Sequence, residues 1–170
     1  MSRVLCVRFS SIGDVLLTTP LVRALKRRYP DVALSFVTKR AMAPLLSDNP
    51  HIARVVTLEP GQSVLDLAQH LRDLRPTHGL DLHGSLRSAT LRLLVRCRWA
   101  GYAKRKPARA VLIATKLDLY GRHTPVAERY FEAARGAGLD VAPDGGPPEF
   151  FLNDAARARV ARWLGEQGLG

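Results

Sequence analysis

Two serines, a glycine and an aspartate follow an apolar run near the start of the chain, in the stretch SSIGD. The glycine permits a tight bend and a close approach of backbone to a ligand, and the hydroxyls can hydrogen-bond one. The aspartate, Asp14, would repel a phosphate, and the loop matches neither GxGxxG nor GxxxxGK[ST]. A helix start favours an ionised carboxylate, so Asp14 is a candidate general base, with a helix cap as the alternative. The candidate binding residues beside it are Ser10, Ser11 and Gly13.

A second polar stretch, DLHGSLRS at residues 81–88, follows another short apolar run. Asp81, His83 and Gly84 stand where a strand is predicted to end, near the same edge of the sheet as the SSIGD loop, so they either line a cleft or shape a turn. The five histidines show no HExxH or clustered spacing, and the two cysteines have no CxxC partner. We therefore expect no metal site.

The chain carries 26 Lys and Arg against 15 Asp and Glu, a formal net charge of +11. This excess favours a polyanionic partner, which would be a phosphate-rich ligand, an anionic membrane surface or nucleic acid. The alternative is a solvated basic face. A run without any acid lies between Asp81 and Asp118 and has nine basic residues: Arg87, Arg92, Arg96, Arg98, Lys104, Arg105, Lys106, Arg109 and Lys116.

Apolar strand-like runs alternate with segments of helical period, which predicts an α/β protein with a wound parallel sheet and helices on both faces. The predicted strands cover residues 3–9, 33–38, 54–58, 80–82 and 99–102. The predicted helices cover residues 14–29, 41–46, a stretch after Ser63, 86–95, 124–137 and 154–167. Predicted helix starts are the caps Ser63 and Asn153, and Thr124 followed by Pro125 as N-cap and first helical residue. Pro20 is expected to kink or restart the first helix.

A chain of 170 residues suffices for one domain whose core needs no disulfide. The two unpatterned cysteines predict a reducing compartment. No basic region followed by an apolar one opens the chain, and no run of about 18 apolar residues occurs. We therefore expect a cytoplasmic protein that is neither secreted nor membrane-spanning, with Trp99 and Trp163 as packing residues.

Four stretches together resemble a known family: RFSSIGDVLLTTPLVRALKRRYP, the NP at 49–50, DLHGSLRS and HTPVAERY at 123–130. They are similar to the N-terminal half of the ADP-heptose:lipopolysaccharide heptosyltransferases, inverting glycosyltransferases of family 9 with the GT-B fold. The resemblance covers about residues 3–140. It implies a Rossmann-like, three-layer α/β/α domain that binds the lipid-linked acceptor, opposite a second domain that binds most of the ADP-heptose donor.

The resemblance also implies residue roles, since the family's aspartate in the SSxGD loop falls on Asp14. That residue would take the proton of the acceptor hydroxyl as it attacks the anomeric carbon. The implied acceptor is Kdo-lipid A or an already heptosylated inner core, on the cytoplasmic face of the inner membrane, and no cofactor is implied. Its phosphates and carboxylates suit cationic contacts, for which the candidates are Arg87, Lys104, Arg105, Lys106 and Arg109. The same patch could hold the enzyme against the anionic leaflet.

The expected organisation is an acceptor-binding domain over residues 1–152 and a helix, residues 153–170, that leads towards a C-terminal donor-binding domain. The chain is then a fragment or a truncated product, and we expect it to be inactive alone. Two other functions stay open. One is a basic nucleic-acid-binding module, although no helix-turn-helix, RRM or zinc-finger signature is present. The other is a GT-B glycosyltransferase with another acceptor.

Overall fold

The computed structural model describes residues 2–102 and 125–169, and a parallel sheet of five strands lies at its centre. The strand order is β3-β2-β1-β4-β5, and every neighbouring pair is parallel. This confirms the predicted wound parallel sheet. The strands are β1 (Arg3–Val7), β2 (Ala33–Lys39), β3 (Arg54–Leu58), β4 (His78–Asp81) and β5 (Arg98–Gly101).

Helices cover both faces of the sheet, and the core is accordingly divided into two clusters. The helices are α1 (Ile12–Leu16), α2 (Thr19–Arg28), α3 (Val64–Asp73), α4 (Leu86–Leu94), α5 (Val126–Gly136) and α6 (Asp154–Glu166), with a 3₁₀ segment at Arg40–Leu45. Alternate residues of β1 point to opposite faces. Val4 and Cys6 pack with α2 and α5, whereas Leu5 and Val7 pack with α3 and α4.

The first predicted helix is two helices, separated at Leu17 and Thr18. Pro20 lies in the first turn of α2, where its missing N–H costs no helical hydrogen bond, so the predicted restart is confirmed. The predicted start at Thr124 and Pro125 is wrong. Pro125 is the N-cap of α5, and its ψ of 146° cannot belong to a first helical residue; Thr124 lies outside the described residues.

The other two predicted caps are confirmed. The Ser63 hydroxyl accepts the Asp66 N–H at 3.1 Å, and the Asn153 side chain accepts the Ala156 N–H at 2.8 Å. Trp99 is half-buried and donates its Nε1–H to the Val95 carbonyl at 2.7 Å.

Trp163 does not pack within the described chain, because 55% of it is exposed and α6 contains no buried residue. The expectation that it is a packing residue is therefore wrong for this structure. None of the helices in ranges 2–102 and 125–169 combines the length and apolar character needed to cross a bilayer.

Candidate functional site

The two polar stretches singled out in the sequence lie side by side at the carboxyl edge of the sheet. β1 and β4 are parallel neighbours, so the loops that follow them start from the same edge. Arg8, the residue after β1, donates from Nη1 to the Leu82 carbonyl at 2.6 Å. The Phe9 and His83 rings meet edge to face, with their centroids 5.2 Å apart. The predicted proximity of SSIGD and DLHGS is therefore present.

Asp14 lies in the first turn of α1, and its hydrogen bonds and ion pair with the described residues all involve one carboxylate oxygen, Oδ2. Oδ2 accepts the Ser11 hydroxyl at 3.0 Å and the Ser11 N–H at 3.4 Å, and it forms an ion pair with Arg8. No described residue hydrogen-bonds Oδ1, and 36% of the side chain is exposed. The helix cap and the general base are thus compatible, because Oδ2 caps the helix and Oδ1 stays open to a hydroxyl.

The surroundings of Asp14 keep its carboxyl ionised. Partial burial acts to raise the pKa, but the Arg8 charge and the two Ser11 hydrogen bonds outweigh it, so the pKa lies below the ordinary value. A carboxylate with this pKa carries a negative charge throughout the neutral range. Asp14 can therefore accept a proton without first losing one.

Arg8 is a site residue that the sequence analysis missed. Only 6% of it is exposed, and its Nε lacks a hydrogen-bond partner among the residues described. Its guanidinium carbon lies 6.0 Å from the centre of the Tyr130 ring. A charged residue directly after the apolar run at residues 4–7 was the signal, since such a residue needs a buried partner.

Tyr130, at the end of the HTPVAERY stretch, supports Arg8 from α5. It is fully buried, and its ring meets that of Tyr102 edge to face, with centroids 4.9 Å apart. Burial raises the pKa of its hydroxyl. Tyr130 thus stays neutral, and its ring packs against Arg8 of the Arg8–Asp14 pair.

Asp81 shapes a turn, which was one of its two interpretations. It is only 3% exposed, and Oδ1 accepts the N–H groups of His83 and Gly84 at 3.0 and 2.7 Å. Oδ2 accepts the Ser88 hydroxyl at 3.0 Å. Gly84 has φ of +58°, which glycine adopts at little cost. Contact of these residues with a substrate remains a prediction.

The other loop residues are more accessible. Ser10 is half-buried, whereas Ser11 and Gly13 are exposed. Gly13 lies inside α1 without a positive φ, so the expected tight bend at this glycine is wrong. A Cβ added there would meet no atom within 4 Å, which leaves room for a ligand.

Arg87 lines a cavity of about 520 Å³ at the ends of β2 and β3. Lys39 and Arg40, which the sequence analysis missed, share its wall with Glu59. Arg40 pairs with Glu59 at 3.0 Å, so the cavity keeps an excess of positive charge. The 3₁₀ segment that Arg40 begins contacts α1. The candidates Lys104, Arg105, Lys106 and Arg109 lie outside the described residues.

Within residues 2–102 and 125–169, no three His, Cys, Asp or Glu side chains come together in a way that could hold a metal ion. Cys6 is buried and Cys97 is half-buried, and both are free thiols. Burial raises the pKa of Cys6 to about 12 and that of Cys97 to about 11. Both thiols therefore stay protonated at neutral pH.

The chain is similar in sequence to curated lipopolysaccharide heptosyltransferases. It is 34% identical over 94 residues to lipopolysaccharide heptosyltransferase 3 of Escherichia coli K12. The aligned region covers 50% of this chain and 26% of that protein. A second Escherichia coli heptosyltransferase 3 is 45% identical over 40 residues, 24% of this chain and 12% of that protein. No family model matches the chain.

Solved structures share the fold. A family 9 glycosyl transferase from Veillonella parvula superposes with a TM-score of 0.76 at 17% identity, covering 99% of this chain and 50% of that one. The ADP-heptose heptosyltransferase II of Escherichia coli superposes with a TM-score of 0.65 at 22% identity, covering 96% of this chain and 50% of that one. The chain thus spans about half the length of these structures. The resemblance drawn from the motifs is confirmed, and the α/β fold is that of one half of a GT-B glycosyltransferase.

Proposed function

We propose that this heptosyltransferase-like chain is the acceptor-binding half of an inverting glycosyltransferase that transfers heptose from ADP-heptose to the lipopolysaccharide inner core. Its sequence similarity to heptosyltransferase 3 and its fold support the proposal. The matched structures are about twice as long as this chain. We assign most of the donor site to a second half of that kind, and we propose no metal or cofactor.

The observation that carries the proposal is the open Oδ1 of an ionised Asp14 at the carboxyl edge of the sheet. In the transfer, the acceptor oxygen forms a bond to the anomeric carbon while the bond from that carbon to ADP breaks. The bonding electrons leave with the ADP phosphate oxygen, and the hydroxyl proton passes to Oδ1 of Asp14. Such a base accelerates transfer by about 10² to 10⁴-fold.

Arg8 and Ser11 position the base in this mechanism. Both bind Oδ2, so the carboxylate is held with Oδ1 turned away from them. The Arg8 charge also stabilises the ionised form before the hydroxyl arrives. Arg8 is itself fixed by the Leu82 carbonyl and the Tyr130 ring, so the base has little freedom to move.

We assign the anionic groups of the acceptor to the cavity formed by Lys39, Arg40 and Arg87. It opens at the same sheet edge as Asp14, and its positive charges suit phosphates and sugar carboxylates. Arg40 is partly neutralised by Glu59, which leaves Lys39 and Arg87 as the stronger contacts. Acceptors of this type are anchored in a membrane, so we place the enzyme at the cytoplasmic face of the inner membrane.

Binding measurements on the chain test this assignment. The chain is titrated with micellar Kdo-lipid A and separately with duplex and single-stranded nucleic acid, at physiological and raised salt. We expect preference for the acceptor at both salts, and about tenfold weaker acceptor binding for the double variant Lys39→Gln/Arg87→Gln. The charge-matched control Arg159→Gln/Arg162→Gln changes α6, whose residues are not buried, and should bind within about twofold of the unaltered chain.

Two results would contradict the proposal. One is nucleic acid binding as tightly as the acceptor, because the net charge of +11 would then explain the affinity. The other is equal weakening in both double variants. That result would show a diffuse electrostatic attraction without a defined acceptor cavity.

A further inference from the structure

Four arginines surround a cavity of about 620 Å³ at the amino-terminal edge of the sheet, opposite the edge that carries Asp14. We propose that this arginine cavity, formed by Arg3, Arg72, Arg75 and Arg96, binds a phosphoryl-bearing small molecule. The proposal goes beyond the transferase function and does not depend on it. It rests on the anchoring of two guanidinium groups, on the charge balance and on the shape of the cavity.

The topology brings the four residues together from distant positions in the chain. Arg3 begins β1, and Arg75 lies in the turn between α3 and β4. Arg72 is in the last turn of α3, and Arg96 follows the end of α4. The ends of two helices and the starts of two parallel strands thus meet at one edge, which forms a concave site.

Two of the guanidinium groups are held in place by backbone carbonyls. Arg3 donates from Nε to the Arg75 carbonyl at 2.6 Å, and Arg72 donates from Nε to the Leu94 carbonyl at 2.8 Å. The Nη groups of both arginines make no hydrogen bond to the described part of the chain. Each arginine therefore presents a fixed pair of donors, the arrangement that binds phosphate oxygens two at a time.

The backbone of Arg75 gives a second reason to regard the site as built. Its φ is +46°, in the left-handed region, at the position after a helix where glycine is usual. A side chain in this conformation is strained relative to glycine. Arg75 adopts this conformation at a position where its carbonyl accepts the Arg3 Nε–H. Its side chain adds a positive charge to the cavity wall.

The positive charge of the cavity is not balanced by the residues that the structure describes. No Asp or Glu lines it, and none of the four arginines lies within ion-pair distance of a described carboxylate. The carboxyl ends of α3 and α4 supply only about half a negative charge each. Four guanidinium groups thus face about one compensating charge, and a divalent or more highly charged anion would restore the balance.

The shape favours a discrete phosphoryl compound over the backbone of a nucleic acid. The arginines converge on a concavity, whereas a groove for nucleic acid carries its charges along a strip. The remaining wall is largely apolar, from Pro76, Leu93, Leu94 and Val95. A volume of 620 Å³ exceeds the needs of one phosphate and falls in the range of small-molecule sites.

Calorimetric titration of the chain with inorganic pyrophosphate, at constant ionic strength, tests the proposal. In the Lys39→Gln/Arg87→Gln background, which removes the proposed acceptor cavity, we expect saturable binding that becomes about tenfold weaker when Arg72→Gln/Arg96→Gln is added. Adding the charge-matched pair Arg159→Gln/Arg162→Gln to the same background should leave binding within about twofold. This background separates the arginine cavity from the proposed acceptor cavity.

The single variant Arg96→Gln controls for loss of stability as the cause of weaker binding, because the Arg96 side chain makes no hydrogen bond within the described ranges. It should weaken pyrophosphate binding while its thermal unfolding stays unchanged. Absence of saturable binding in the Lys39→Gln/Arg87→Gln background would overturn the proposal, as would equal weakening by the two added pairs. Tighter binding of duplex nucleic acid or anionic vesicles through the same arginines would overturn it in favour of a macromolecular partner.

Discussion

The two carboxylate oxygens of Asp14 have different roles. One stabilises the start of α1, and the other is accessible to accept a proton. Oδ2 is occupied by Ser11 and Arg8, while Oδ1 has no hydrogen bond to a described residue. An amide at this position would keep the shape of the side chain and most of the contacts to Ser11. It could not accept a proton from the acceptor at neutral pH. This separates the proposed catalytic role of Asp14 from its role as a helix cap.

We expect Asp14→Asn to abolish most transfer while leaving acceptor binding intact. In the proposed full-length transferase, kcat should fall by about 10² to 10⁴-fold, because the base is lost. Micellar acceptor should bind this chain within about twofold of the unaltered protein. The control Asp31→Asn changes an exposed aspartate after α2 and should leave both quantities unchanged. Full activity in Asp14→Asn would show that another group takes the proton.

The pH dependence of transfer should follow the pKa of Asp14, which burial raises and the Arg8 charge and Ser11 hydrogen bonds lower. The folded pKa lies below the ordinary 3.8, so transfer should persist above it and be lost as pH falls through it. Arg8→Gln removes the charge that lowers the pKa, and the acidic limb of kcat/KM should move to higher pH. Arg8→Lys keeps a charge and should move it less. A carbon-13 NMR titration of the Asp14 carboxyl reads the same shift directly, and an unchanged pKa in Arg8→Gln would contradict this account.

At the scale of elements, Arg23 of α2 forms ion pairs with the segment that follows α5. It is only 3% exposed, and its guanidinium reaches Asp144 at 2.7 Å and Glu149 at 2.9 Å. The Thr19 hydroxyl accepts the Glu149 N–H at 2.8 Å beside it. A buried cation with two acidic partners therefore joins two segments that are more than a hundred residues apart in sequence.

We expect Arg23→Ala to lower the free energy of unfolding by about 3 kcal/mol, since it breaks a buried ion-pair network. Arg27 pairs with the same Asp144 but its side chain is 66% exposed. Arg27→Ala is therefore the matched control, with an expected loss of at most about 1 kcal/mol. Urea unfolding followed by circular dichroism measures both. Equal losses would show that burial of Arg23 is not what makes its pairing important.

The same network predicts how stability depends on pH. Hydrogen bonds from Arg23 lower the pKa of Asp144 to about 2, from an ordinary value of 3.8. A lowered folded pKa gives stability that is complete above the unfolded value and is lost as pH falls towards about 2. Asp144→Asn should remove this part of the acid dependence. Urea midpoints measured between neutral pH and about pH 2 would show a smaller decline in the variant.

At the scale of the whole molecule, the alternation of apolar and helical segments was enough to predict the parallel sheet and the meeting of the two polar loops. Cap residues marked the starts of α3 and α6, because a side-chain oxygen bonded to a backbone N–H is a local signal. The Arg8–Asp14 pair and the approach of Lys39 to Arg87 were not predictable, since they depend on packing between segments. The exposure of Trp163 was missed for the same reason, because an apolar residue in a helix does not reveal what covers it.

The proposed boundary at residue 152 can be tested by truncation. No residue of α6 is buried, and the hydrogen bond from Asn153 to Asp48 joins its start to the rest of the chain. A chain ending at Leu152 should therefore unfold within about 1 kcal/mol of the full chain. A chain ending at Ala137 loses the buried Leu139 and Val141 with both acidic partners of Arg23, and it should lose several times more. Trp99 fluorescence during urea unfolding follows both truncations, and a large loss for the first would place α6 inside the domain.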